Sequence, residues 1–266
     1  MLVILSPAKT LDFDSPVPPL PLTLPAFLPQ SEALVGLLRD LSVQDLATLM
    51  DLSDKLAALN VARFAEWSPE FTDANSRAAV LAFRGDVYEG MQAWTFAPGD
   101  HAFAQRHLRI LSGLYGLLRP LDRLQPYRLE MGTALANPAG RNLYAFWGSQ
   151  LARALNEALA AQGDDVLVNL ASDEYSRAAL TPALAARVVT PQFREEKDGR
   201  LRMVSFHAKR ARGLMAGWIV RERLRDPAAL RDFDADGYRY NAALSRDDTL
   251  VFTRPMPVAR QEAGTA

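Results

Sequence analysis

Val166-Leu167-Val168-Asn169-Leu170-Ala171-Ser172-Asp173-Glu174-Tyr175 is the stretch on which the fold turns. Its first five residues form an apolar, β-branched run and read as a central strand. Ser172 then stands where a helix N-cap belongs. Asp173 and Glu174 occupy the first helical turn, where the helix dipole favours acids. Working backwards, Tyr144–Gln162 is rich in alanine and leucine and predicts one helix, ended by Gly163. Working forwards, Val188–Phe193 and Leu201–Phe206 predict a hairpin turning through Glu196-Lys197-Asp198-Gly199. A basic helix over about His207–Arg225 and a last strand, Leu250–Thr253, follow.

Towards the N-terminus, Leu2–Leu5 reads as a short buried strand ending at Ser6-Pro7. Six prolines between residues 15 and 29 exclude helix and central sheet and predict an extended segment wrapped on the surface. From Ser31 to about Phe64, leucines recur at helical spacing behind candidate caps Ser42 and Ser53. Val80–Phe83 suggests a strand before a Gly85-Asp86 turn, and Val87–Ala93 and Asp100–Arg109 suggest helices. These elements make an α+β fold: one compact domain over residues 1–258 with a mixed sheet, many helices and a frayed tail at 259–266. Strand and helix do not alternate regularly enough for a barrel or a doubly wound sheet.

The composition fits that reading. With 266 residues, 49% of them hydrophobic, the chain is long enough to bury a core without disulfide or metal staples. It has no cysteine, which excludes thiolate metal sites, iron–sulfur clusters and cysteine nucleophiles. No apolar run is long enough for a membrane span or a signal-peptide core, so a cytoplasmic protein without membrane contact is expected. The formal net charge of -1 conceals segregation. Residues 1–100 carry 6 basic against 13 acidic side chains, residues 105–128 carry 5 against 1, and residues 194–226 carry 10 against 5. Either a polyanion-facing surface or ordinary solvated helix faces would produce that pattern.

Several motifs carry chemistry, each beside a plainer reading. Ser6-Pro7-Ala8-Lys9 matches S-x-x-K, in which a lysine activates a serine nucleophile; the plainer reading is that Ser6 caps a turn while Lys9 meets an anion. Arg84-Gly85-Asp86-Val87-Tyr88 sets a cation beside a glycine turn, suited to a phosphate or to a surface ion pair. In Ser112-Gly113-Leu114-Tyr115-Gly116, two glycines in an apolar setting suggest the hairpin of a helix-hairpin-helix element, flanked by Arg106, Arg109, Arg119, Arg123 and Arg128. Asp173 and Glu174, beside their reading as first-turn helix acids, are candidate metal or acid–base carboxylates with Glu130 as a partner. On the basic helix, Lys209 and Arg212 share a face and are the best phosphate candidates. His101, His107 and His207 lack ligand spacing, so no metal site is expected.

Taken together, SPAKTLD (6–12), SDKLAALNVARF (53–64), AFRGDVYEG (82–90), LSGLYGLLRPLDRLQPYRLEMGT (111–133), NLYAFWG (142–148), NLASDEY (169–175) and HAKRARGLM (207–215) resemble the bacterial YaaA family of peroxide-stress proteins. The resemblance implies a role in the oxidative-stress response, linked to limiting free iron and so to sparing DNA from Fenton damage. It also implies a basic cleft, taking Lys9, Arg84, Lys209, Arg210 and Arg212, and a helix-hairpin-helix-like element at Ser112–Gly116, with Gly113 at its turn, that binds duplex or branched DNA. The family's usual aromatic-Tyr-Ala-Lys-Lys block reads Phe206-His207-Ala208-Lys209-Arg210 here, with histidine in the tyrosine's place. The expected partner is therefore DNA, bound without base readout. No cofactor and no protein partner are expected. The alternative is an enzyme acting on a nucleotide or other phosphorylated small molecule, with Ser6, Lys9, Asp12, Asp86, Tyr88, Glu130 and Asp173 as its catalytic set. Convergence discriminates the two: a deep polar pocket gathering these residues favours chemistry, and a long open basic groove favours DNA.

Overall fold

The computed structural model describes residues 1–257; the tail expected at 259–266 lies outside them. The central sheet runs in the order Arg239–Tyr240, Thr249–Pro255, Arg187–Lys197, Val166–Asn169, Leu2–Leu5, Leu108–Ser112, Gly116–Leu118. Its five middle strands are parallel, and the two outermost pair antiparallel. Leu2–Leu5 and Val166–Asn169 are buried at every position, as strands covered on both faces must be, and this is why they read as unbroken apolar runs. The register sets Val3 opposite Leu108 on one side and opposite Val168 on the other. The chain therefore leaves the first strand towards one flank of the sheet and returns later to the other. Beyond the carboxyl ends of Leu2–Leu5 and Val166–Asn169 lies the switch point at which open sheets of this kind place their crevices.

Local chemistry explains the surrounding elements. Ser42 caps the helix Val43–Met50 in a reciprocal box with Asp45, whereas Ser53 stands at its cap position without a side-chain bond. The proline segment is extended and runs along the Arg119–Arg123 turn, with the Thr23 N–H on the Leu121 carbonyl at 2.9 Å. Pro29 lies in the first turn of the helix Leu28–Arg39. Arg187–Lys197 turns back on Arg200–Arg202 through Asp198 and Gly199, both at positive φ, as a two-residue hairpin requires.

Five expectations need correcting. Ser112–Gly116 is not the turn of a helix-hairpin-helix. It joins the antiparallel strands Leu108–Ser112 and Gly116–Leu118, and every residue from 110 to 118 is buried. The leucines flanking its glycines are sheet core, and a Cβ on Gly113 would lie 2.3 Å from the Leu129 carbonyl oxygen. The tip is tied down by Trp147, whose indole N–H donates to the Gly113 carbonyl at 3.0 Å. Val80–Phe83 is mostly a short helix, Ala79–Ala82, and the chain becomes extended only at Phe83–Arg84. The 144–162 helix is two, Leu143–Trp147 and Gln150–Ala160, broken at Gly148, whose φ is +48°. The helix expected to end at Arg109 stops at His107, because Leu108 and Arg109 already belong to a strand. The basic helix runs Ser205–Arg221, so the hairpin's second strand ends at Arg202.

Candidate functional site

The segments leaving the switch point enclose a cavity of about 640 Å³. Ser6–Thr10 follows the strand Leu2–Leu5, and Leu170–Tyr175 follows its parallel neighbour Val166–Asn169. Arg84–Val87 and Tyr127–Glu130 form further walls, and Lys209 and Arg212 reach in from the helix Ser205–Arg221. Gly85, at φ +139°, opens the helix Asp86–Met91, and a Cβ added there would lie 3.5 Å from the Ala8 Cβ. The two helices cross with backbones in contact, since a Cβ on Gly213 would lie 1.8 Å from the Val87 carbonyl oxygen. This crossing holds Asp86 and the two basic residues at one cavity.

Ser6 and Lys9 do not form a nucleophile–base pair. The Ser6 Oγ accepts the Ser172 N–H at 2.8 Å and lies 3.1 Å from the Ser172 Oγ, while the Tyr88 hydroxyl donates to the Ser6 carbonyl at 3.1 Å. The Lys9 ammonium instead meets Glu130 Oε2 at 2.8 Å, and Arg128 meets Oε1 of the same carboxylate at 3.1 Å. Ser6 thus welds two strand ends, as the cap reading anticipates. Burial holds up the phenols of Tyr88, Tyr127 and Tyr175 and keeps them neutral, and two of them, Tyr127 and Tyr175, line the cavity. Glu174 accepts the Gly132 N–H at 2.8 Å and is committed to that loop.

Asp12 and Arg84 are bound to each other. Arg84 forks onto Asp12 Oδ2 at 3.0 and 2.8 Å and stacks on Trp94, 4.5 Å from its ring centre. Asp12 also accepts the backbone N–H groups of Asp14 and Ser15. Bonds from Ser15, then Arg84, hold the Asp12 carboxyl well below the usual carboxylate range. A carboxylate with a depressed value stabilises the fold above its unfolded value, and that stabilisation is lost as pH falls through the folded one. Asp12→Asn should therefore be less stable than the parent at neutral pH, with the difference closing below about pH 4, the unfolded aspartate value. Urea midpoints measured across pH check this. A deficit independent of pH would show that the charge is not what matters.

The remaining DNA candidates are scattered. Arg106 is exposed on the last turn of the helix Pro98–His107. Arg109 donates to the carbonyls of Gln105, Arg106 and Leu108, and burial pushes its guanidinium down to about 10. Arg119 pairs with the buried Asp122 at 3.0 Å. The Ser112 Oγ and the Tyr127 hydroxyl share a hydrogen bond at 2.6 Å, away from solvent, and Gly113 and Gly116 are buried with them. None of these six lines the cavity, and neither does Arg210, which is exposed beside Lys209. Of the candidates, Ser6, Lys9, Arg84, Asp86, Glu130, Asp173, Lys209 and Arg212 do come together. Tyr127 and the role of Arg128 were missed. The alternation Arg128-Leu129-Glu130, which places 128 and 130 on one face of an extended segment, was the available signal.

Comparison with known families matches residues 1–244 to the family described as peroxide stress protein YaaA. The chain belongs to this family. The YaaA match includes every residue lining the cavity, from Ser6 to Arg212. Membership ties the chain to the peroxide-stress response. Among the described residues no group of three or more His, Asp or Glu side chains is placed to hold a metal ion, and no helix is long and apolar enough to cross a membrane.

Proposed function

We propose that this peroxide-stress protein binds a small phosphorylated molecule, of nucleotide type, in the cavity at the switch point. Arg212 is the observation that carries the reading. Its guanidinium lines the cavity with no hydrogen-bond or ion-pair partner among the described residues, and burial lowers its pKa against the opposing pull of Asp173. A cation drawn out of water without a partner is stabilised by an incoming anion, and the planar guanidinium fork matches phosphate oxygens. Lys209, one turn earlier on the same helix, adds a second donor. The Asp173 carboxylate is available to ribose hydroxyls. With Ser6 bonded to Ser172 and Lys9 to Glu130, binding rather than covalent chemistry is the reading that these contacts favour.

A second reading, DNA binding without base readout that shields DNA from iron-driven damage, draws support from Lys9, Lys209 and Arg210, all exposed near the cavity mouth. One experiment separates the two. Calorimetric titration with adenosine diphosphate and with inorganic phosphate is run beside a salt series on labelled 30-base-pair duplex and four-way junction. The first reading expects nucleotide binding that Arg212→Gln weakens by roughly 10- to 100-fold, the effect of losing a charge-assisted bond pair. The second expects log K for DNA to fall against log salt with a slope near about -5, if some six phosphates are contacted. DNA binding of that kind with no nucleotide binding would replace the first reading by the second.

A further inference from the structure

We propose that Glu130 is an internal placeholder: its carboxylate occupies a second anion subsite, built from Lys9 and Arg128, that belongs to a second anionic group of the ligand. The inference rests on the phosphate reading of the cavity and extends it to the ligand class, a molecule with two phosphoryl groups or with one phosphate and a further anion.

Four observations carry it. Lys9, Arg128 and Glu130 all line the cavity, and the two cations come from segments far apart in the chain. Glu130 turns one oxygen to each, Oε2 to Lys9 at 2.8 Å and Oε1 to Arg128 at 3.1 Å, as a bound anion would. Its carboxylate accepts no backbone N–H, so no turn or helix end depends on it. Asp12 is the contrast: the carboxylate that holds Arg84 also closes the Asp14–Ser15 turn and is part of the fold. Lastly, the Lys9 side chain is 63% exposed and Glu130 is 24% exposed, so both are free to part without opening the core. Two cations against one carboxylate leave a positive balance, which a phosphate dianion neutralises and a single carboxylate does not. Phosphate also offers three oxygens, enough for the Arg128 fork and the Lys9 ammonium together.

The test is calorimetric titration of the full chain with inorganic phosphate and with pyrophosphate, in the parent, Arg212→Gln, Glu130→Gln, Asp86→Asn and the double variants Glu130→Gln/Arg212→Gln and Glu130→Gln/Lys9→Gln. Thermal midpoints establish that each is folded. The parent is expected to bind one phosphate, lost in Arg212→Gln. Glu130→Gln is expected to bind two, with pyrophosphate tightened about tenfold, the gain from one regained charge-assisted contact. Asp86→Asn removes the same charge from the same cavity, so two phosphates there would mean simple charge balance and would overturn the placeholder. Each double variant should return to one phosphate. A single Arg212-dependent site in both the parent and Glu130→Gln overturns the placeholder alone. No phosphate binding by any of the chains overturns it together with the reading on which it rests.

Discussion

Gly213→Ala is expected to lower the thermal midpoint by roughly 6–12 °C, the counterpart of about 3 kcal/mol in a chain of this size. The added methyl would meet the Val87 carbonyl oxygen at 1.8 Å and the Met91 amide nitrogen at 3.0 Å. Both are backbone atoms of the helix Asp86–Met91, so no side chain can swing aside and the helices must separate. Gly90 faces the crossing from the other side, where a Cβ would lie 2.2 Å from the Arg210 carbonyl oxygen. Overpacking of this kind costs about 1–3 kcal/mol and more where backbone is the obstacle. Separation also draws Lys209 and Arg212 away from Ser6 and Asp173, so phosphate affinity should fall in the folded fraction. Gly36→Ala is the control: it lies within the helix Leu28–Arg39 with nothing within 4 Å, and alanine there should add up to about 1 kcal/mol. A Gly213→Ala midpoint within 2 °C of the parent would show that the crossing is looser than the geometry requires.

That crossing was not legible in the sequence, although its consequences were. Val166–Asn169 and Leu2–Leu5 could be read because burial on both faces leaves a run of β-branched and apolar residues with no periodicity to misjudge. Ser42 and the Asp198-Gly199 turn were legible because local chemistry alone fixes them. Ser112–Gly116 was misread because glycines serve two ends: close approach to a phosphate, or close approach to the chain's own Leu129 and Trp147. Only tertiary context separates these. The site was legible as residue types flanking strand ends, where Ser6, Lys9 and Asp173 had to emerge together once the strands were parallel neighbours. Which charges remain available was not. Arg84, Arg109 and Arg119 count as basic residues in any sequence tally, yet each has a partner in the fold, whereas Arg212 has none among the described residues. Charge segregation along a chain therefore overstates the cationic surface offered to a polyanion.

Arg254→Met is expected to cost about 3–5 kcal/mol, the usual penalty for leaving one member of a buried ion pair behind. Arg254 is 4% exposed and meets Glu195, which is fully buried, at 3.3 Å, and Asp236 at 2.5 Å. Glu195 Oε1 also accepts the Tyr238 hydroxyl and lies 3.4 Å from the His207 Nδ1. Burial, with Glu195 beside it, holds the Tyr238 phenol up, so it stays protonated and donating. Glu195 Oε2 accepts the Val204 N–H at 3.3 Å, immediately before the helix Ser205–Arg221. The cluster therefore anchors the start of the helix that carries Lys209 and Arg212, while the glycine crossing fixes its middle. Removing Arg254 leaves the carboxylate with the Tyr238 hydroxyl, the Val204 N–H and a largely buried imidazole edge in place of a guanidinium. Adding Glu195→Gln should restore at least half of the loss, because the amide oxygen still accepts from Tyr238 and no bare charge remains. Chemical denaturation of the two variants against the parent measures both numbers. A single-variant loss under 1 kcal/mol, or no recovery in the double variant, would mean that packing rather than charge pairing holds this corner. If the pairing holds it, Arg254→Met should also weaken phosphate binding without touching the ligand, since the anion site is only as well formed as the helix end from which it projects.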